Sequence, residues 1–248
     1  MKKPFHPRAL LVAGALLAST MTAGAFDDAQ RAEIGEIVRV YILANPEVLI
    51  EVQEALEQQI AAEEEQARTA LIASSADDLF NNPADPVLGN PDGDVTVVEF
   101  FDYNCGFCRR AMADMQEIIE TDPNVRFVLK EFPILGPDSI AAHQVALAFN
   151  AVAPELYEQF HTELMDLDAR ASEETALEVA VSLGVDEEVL KRSMADPRHS
   201  NSVQNTYQLA EGLGISGTPS YVIGNSLVPG ALGVDELRAR IAQARTAN

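Results

Sequence analysis

Two cysteines, Cys105 and Cys108, are the only thiols in the 248 residues, and both fall in "FFDYNCGFCRR", Phe100 to Arg110, at the end of an apolar run. A C-x-x-C pair admits three chemistries: a structural disulfide, half of a metal site, or a dithiol that exchanges with other disulfides. A structural zinc site needs four ligands, yet there is no second cysteine pair, and His143, His161 and His199 are widely spaced. No metal, no other cofactor and no histidine role are therefore assigned. A disulfide closing so short a loop adds little stability to a domain of this size. Exchange fits better, because a strand leads straight into the pair and a helix starts there. Cys105 then lies where unpaired backbone N–H groups and the positive end of the helix dipole favour a thiolate. Cys108, one turn in, is shielded and within disulfide reach. That arrangement makes Cys105 the attacking sulfur and Cys108 the one that resolves the mixed disulfide.

The elements that must position the pair can be read around it. "VTVVEFF", Val95 to Phe101, is a β-branched and aromatic run of the kind that forms a strand buried on both faces. Met112, Met115, Ile118 and Ile119 mark the buried side of the helix after the cysteines, Asp122-Pro123-Asn124 turns the chain, and Val125, Phe127 and Leu129 alternate with polar neighbours as a second strand. This is a β-α-β unit. From Asp138 to Gly214 the pattern is helical, with starts expected at Asp138, Ser172, Asp186 and Ser200 or Asn201, and stops at Gly184 and Gly212. Ser220–Ile223 and Leu227–Val228 read as a short hairpin around Gly224-Asn225, and Asp235–Ala244 as a closing helix. Strands thus flank a helical block.

The N-terminus bears on whether a disulfide could persist. Lys2, Lys3 and Arg8 precede an apolar stretch from Ala9 to Ala18, and Ala23-Gly24-Ala25 has a small-x-small form. This reads as a cleaved secretory signal over residues 1–25, too short for a membrane anchor, and it predicts a periplasm-like oxidising compartment with no stable membrane insertion. The formal net charge of −22 repels nucleic-acid phosphates and anionic lipid, which argues against both as partners.

Residues 26–75 read as helix, turn, helix and linker, ahead of a catalytic domain over 76–248. Ile34, Ile37, Val38, Tyr41 and Ile42 share one helical face, Asn45-Pro46-Glu47 stops and restarts the helix, and Leu49, Val52, Leu56 and Ile60 continue the stripe. So few elements cannot make their own core, so the stripe must be covered, either by docking back on the catalytic domain or by packing against copies of itself. Glu63 to Ser75 separates it from the rest and favours self-association through residues 28–73.

With those motifs in place, the sequence resembles the thioredoxin superfamily, and within it the DsbA-like branch: "VVEFFDYNCGFC", "KEFPILGPDS" and "SGTPSYVIG" carry the likeness over about residues 87–248. The N-terminal helical segment ending in "GNPDGD" further resembles the copper-sensitivity suppressor protein C (ScsC) group. The resemblance implies an α/β thioredoxin fold, with thioredoxin parts at about 87–136 and 215–248 and a helical insertion at about 137–214, behind an N-terminal helical oligomerisation arm with a trimer favoured. It implies a thiol–disulfide oxidoreductase acting on misfolded or unfolded exported proteins and reset by a membrane redox partner. It makes Thr218 and Pro219 the substrate-facing loop, with the Pro219 peptide bond cis, and Glu99 a buried proton acceptor for Cys108. Gly106 and Phe107, between the cysteines, replace the Pro-His of strong oxidants and offer no charge, so Cys105 is expected to be less acidic than there. With Thr before the proline, this favours an isomerase over the alternatives: a monomeric oxidase, or a copper-sequestering or chaperone-like binding protein.

Overall fold

The computed structural model describes residues 26–247; the proposed signal segment lies outside them. The chain divides into two compact units, one ending at Gln59 and one beginning at Ile60.

In the first unit, Asp27 caps helix α1 (Asp28–Ala44) by a reciprocal pair of hydrogen bonds with Gln30. Asn45 closes it, its side-chain amide donating to the Tyr41 carbonyl at 2.8 Å. Helix α2 (Glu47–Ser74) then starts. Ile37, Val38, Tyr41, Leu49, Val52 and Leu56 are all exposed in the single chain. This is the unpartnered stripe that the spacing predicted.

In the second unit α2 runs unbroken through Glu63-Glu64-Glu65, and Leu71 and Ile72 near its end pack into the domain core. A five-stranded sheet follows in the order β1-β3-β2-β4-β5, from β1 (Val87–Gly89), β2 (Val95–Phe101), β3 (Val125–Glu131), β4 (Ser220–Ile223) and β5 (Ser226–Pro229). Only β2 and β3 pair in parallel, with Glu99 level with Leu129; the other neighbours are antiparallel. Helix α4 (Gly106–Thr121) makes the β2–β3 crossover. Helices α5 (Pro137–Val152), α6 (Tyr157–Asp166), α7 (Glu173–Ser182), α8 (Glu187–Met194) and α9 (Pro197–Leu213) lie between β3 and β4, and α10 (Val234–Ala247) closes the chain. Short α3 (Ala76–Phe80) links α2 to the sheet. This is the thioredoxin-like fold with a helical insertion.

Alternation along β2 builds a core on each face of the sheet. Val97 and Phe101 face Met112, Met115, Phe149 and Ile241, whereas Val98 and Phe100 join Ile72, Leu79, Leu213 and Val222. On β3, Lys130 is buried beside Asp85 and donates to the Asp78 carbonyl. Two expectations change. Helix α9 starts at Pro197, capped by Asp196, rather than at Ser200 or Asn201. It also runs through Gly212 and ends at Gly214, which takes the left-handed conformation at φ 73°.

Candidate active site

Strand β2 delivers Asp102-Tyr103-Asn104 to the mouth of α4, and Cys105 is the N-cap of that helix. Both cysteines are reduced; Cys105 is 7 % exposed and Cys108 1 %. The Cys105 Sγ lies 3.2 Å from the Thr218 carbonyl, and the Thr218–Pro219 peptide bond is cis. The fold therefore brings together residues 105 and 218, which are 113 positions apart in sequence.

The two sulfurs are electrostatically opposite. A hydrogen bond from the Cys108 thiol, helped by the Thr218 side chain and the backbone N–H groups of Cys108 and Phe107, overcomes burial and holds Cys105 at about 5. Neutral donors at a helix mouth achieve this without a charged neighbour. Burial pushes Cys108 far up, and its hydrogen bond to Cys105 and the nearby Glu99 carboxyl push the same way. Glu99, 4 % exposed, lies opposite Tyr221 in the sheet. Burial raises it to about 8, partly offset by the Tyr221 hydrogen bond.

That shift has a stability consequence. An unfolded glutamate ionises near 4.5 while the folded one keeps its proton to about 8, so the native state binds more protons across that window and loses stability as pH rises through it. Glu99→Gln is expected to flatten this decline. Thermal melts of both proteins at pH 5 and pH 8 check it: the variant's melting temperature should gain on the parent's between the two.

Of the residues between the cysteines, Gly106 has open space where a Cβ would point, and Phe107 is 59 % exposed with the Arg110 guanidinium 4.4 Å from its ring centroid. Residues with no assigned role in the sequence reading hold the turn. The Asn104 side chain makes a two-way pair with the backbone of Ala171 and donates to Ser139 at 3.0 Å. Arg109 donates to the carbonyls of Tyr103, Leu167 and Ala169. Beneath them His143 meets Glu131 and accepts the Tyr103 N–H, while Tyr157 donates to Glu131 and touches the Tyr103 hydroxyl at 3.1 Å. All three histidines of the described chain are buried, and burial pushes His161 down to about 3. The one local signal for this framework is Asn104, an amide directly before the first cysteine.

Among the described residues no helix is long and apolar enough to cross a membrane. The chain matches the DSBA-like thioredoxin domain over residues 96–242 and the copper resistance protein ScsC N-terminal domain over residues 30–63. It is similar to a solved thioredoxin-like oxidoreductase from Silicibacter pomeroyi, with 47 % identity, TM-score 0.66, and coverage of 69 % of this chain and 98 % of that one. Proteus mirabilis ScsC in a transitional conformation is 31 % identical at TM-score 0.66, covering 90 % of this chain and 99 % of that one. The Thiol:disulfide interchange protein DsbA of Bordetella pertussis is 30 % identical over 56 % of this chain and 68 % of its own. A match to the Na(+)/H(+) antiporter NhaA 3 of Salinispora tropica, 25 % identical over 72 % of this chain, spans only 28 % of that protein's length. With a β-α-β frame that sets a dithiol at a helix mouth opposite a cis-proline loop, and with these matches, the chain belongs to the DSBA-like thioredoxin domain family, the DsbA/ScsC type of thiol–disulfide oxidoreductase.

Proposed function

We propose that the protein exchanges disulfides in exported proteins of a periplasm, mainly as an isomerase, through Cys105 and Cys108. The observation that carries this is the opposed acidity of two touching sulfurs, Cys105 at about 5 and Cys108 pushed well up. The Cys105 thiolate attacks a substrate disulfide, one new S–S bond forms, and the substrate's other sulfur leaves as a thiolate that takes a proton from water. For isomerisation that sulfur, as the thiolate, attacks a second disulfide of the substrate, and the sulfur this releases attacks the mixed disulfide, forming a new substrate S–S bond and freeing Cys105 as a thiolate. When this stalls, Cys108 bonds to Cys105 and the substrate sulfur leaves as a thiolate, the Cys108 proton passing to Glu99 in the molecules where that carboxyl is ionised, a fraction that grows as pH rises toward about 8. The Thr218–Pro219 backbone offers an edge for an extended substrate segment. The oxidase reading keeps one supporting observation, since a reduced form stabilised as a thiolate makes the disulfide more oxidising.

Isomerisation needs repeated encounters with one misfolded chain, which several linked dithiols supply. The exposed stripe on α1 and α2 supports assembly of several copies, three on the resemblance to ScsC. The experiment is refolding of a scrambled disulfide substrate by the parent and by the Val52→Glu, Leu56→Glu variant, whose changes fall on side chains exposed in the single chain. The variant is expected to show the mass of one chain by light scattering, to keep peptide-disulfide reduction, and to lose at least about tenfold in refolding rate. A parent that oxidises reduced peptides but never rescues scrambled substrate would instead make the protein an oxidase.

A further inference from the structure

Arg68 lies on α2 within the second unit, on the face that carries Leu71 and Ile72, three and four positions on, both packed in the core of that unit. Those anchors hold its side chain, 29 % exposed, over a cleft of about 360 Å³ that is lined also by Gly217, Thr218, Pro219, Leu227 and Pro229. The cleft thus shares its wall with the loop whose carbonyl meets the Cys105 sulfur. Among the described residues the ion-pair partner of Arg68 is Glu65 of its own helix at 2.8 Å, and Glu65 is 54 % exposed, a partner that an incoming carboxylate can replace.

We infer that Arg68 determines substrate specificity in thiol–disulfide exchange: it selects segments that carry a carboxylate beside the reacting disulfide, by pairing with that carboxylate while the segment lies along Thr218 and Pro219. The inference rests on the dithiol reading above. Its chemistry is a partly exposed ion pair, which sets a modest preference rather than an absolute one. The long-range field of the protein works the other way, repelling acidic segments, so the preference arises at contact and not in encounter.

The test uses reduced full-length protein and three peptides with the same intramolecular disulfide, flanked by Asp, by Gln or by Lys. Second-order rate constants for reduction are measured for the parent, Arg68→Gln, Arg68→Glu, and Arg198→Glu, the last making the same change of net charge at the start of α9. The parent is expected to prefer the Asp peptide over the Gln peptide about threefold. Arg68→Gln should lose that preference and Arg68→Glu should reverse it toward Lys, whereas Arg198→Glu should keep it. Coincident thermal melts of all four proteins report an intact fold. If the Asp preference is absent in the parent, or survives in Arg68→Glu, the specificity role is overturned while exchange stands. If no peptide is reduced by the parent, the dithiol reading falls and this inference with it.

Discussion

Cys105→Ser is expected to lower disulfide exchange at least about a thousandfold, because the sulfur that forms the covalent intermediate is gone. Cys108→Ser should behave differently. The attack at Cys105 still occurs, but no second thiol displaces the substrate, so mixed disulfides accumulate and non-reducing gels of protein incubated with disulfide-bonded clients should show them. Absence of such adducts would favour a binding protein whose thiols only hold metal or client. The pH profile adds an independent check. Thiolate appears as pH rises through about 5, so the attack rate should climb up to roughly pH 6 and then level off, where an ordinary thiol would still be gaining toward pH 8.5. Cys108 supplies the largest hydrogen bond to that thiolate. A Cys108→Ala protein, lacking any donor there, is expected to show the plateau shifted to higher pH, while Cys108→Ser keeps a hydroxyl in its place.

The largest expected stability effect lies away from the sulfurs. Lys130 on β3 is 1 % exposed, ion-paired to buried Asp85 and hydrogen-bonded to the Asp78 carbonyl of α3. Burial raises Asp85 to about 6 even with the ammonium beside it. Lys130→Met removes the cation and leaves both acceptors without their donor, a change that costs about 3–5 kcal/mol when a buried pair is broken. Urea denaturation should show a lower midpoint with an unchanged slope. Adding Asp85→Leu to that variant removes the stranded carboxyl, and most of the loss should return, because apolar replacement of a whole buried pair is often close to neutral. A double variant no better than Lys130→Met would mean that the Asp78 carbonyl, not the ion pair, is the costly loss.

Local pattern was enough for the parts of the fold that depend on neighbours in sequence. The strand Val95–Phe101, the helix start at the cysteines, and the caps at Ser172 and Asp186 all follow from side-chain type at fixed offsets. The Asp196-Pro197 pair carried the same information for α9, a capping carboxylate and a proline at the first helical position, and it outcompetes Ser200. What was not legible depends on distance. Alternation along β3 cannot reveal that a loop bearing Asp85 covers Lys130. Leu71 and Ile72 stood behind a glutamate run, and only the folded chain shows that α9 and the sheet receive them. The His143, Glu131 and Tyr157 cluster joins β3, α5 and α6, so no window of sequence contains it.

Gly106 has open space where a side chain would go, and Phe107 is exposed, with the Arg110 guanidinium over its ring. The framework that fixes the turn, Asn104 to Ala171 and Arg109 to the carbonyls beyond α6, lies outside that dipeptide. Side-chain replacements at these two exposed positions are therefore expected to be tolerated by the fold, so that their effect on thiol exchange can be read without a matching loss of stability.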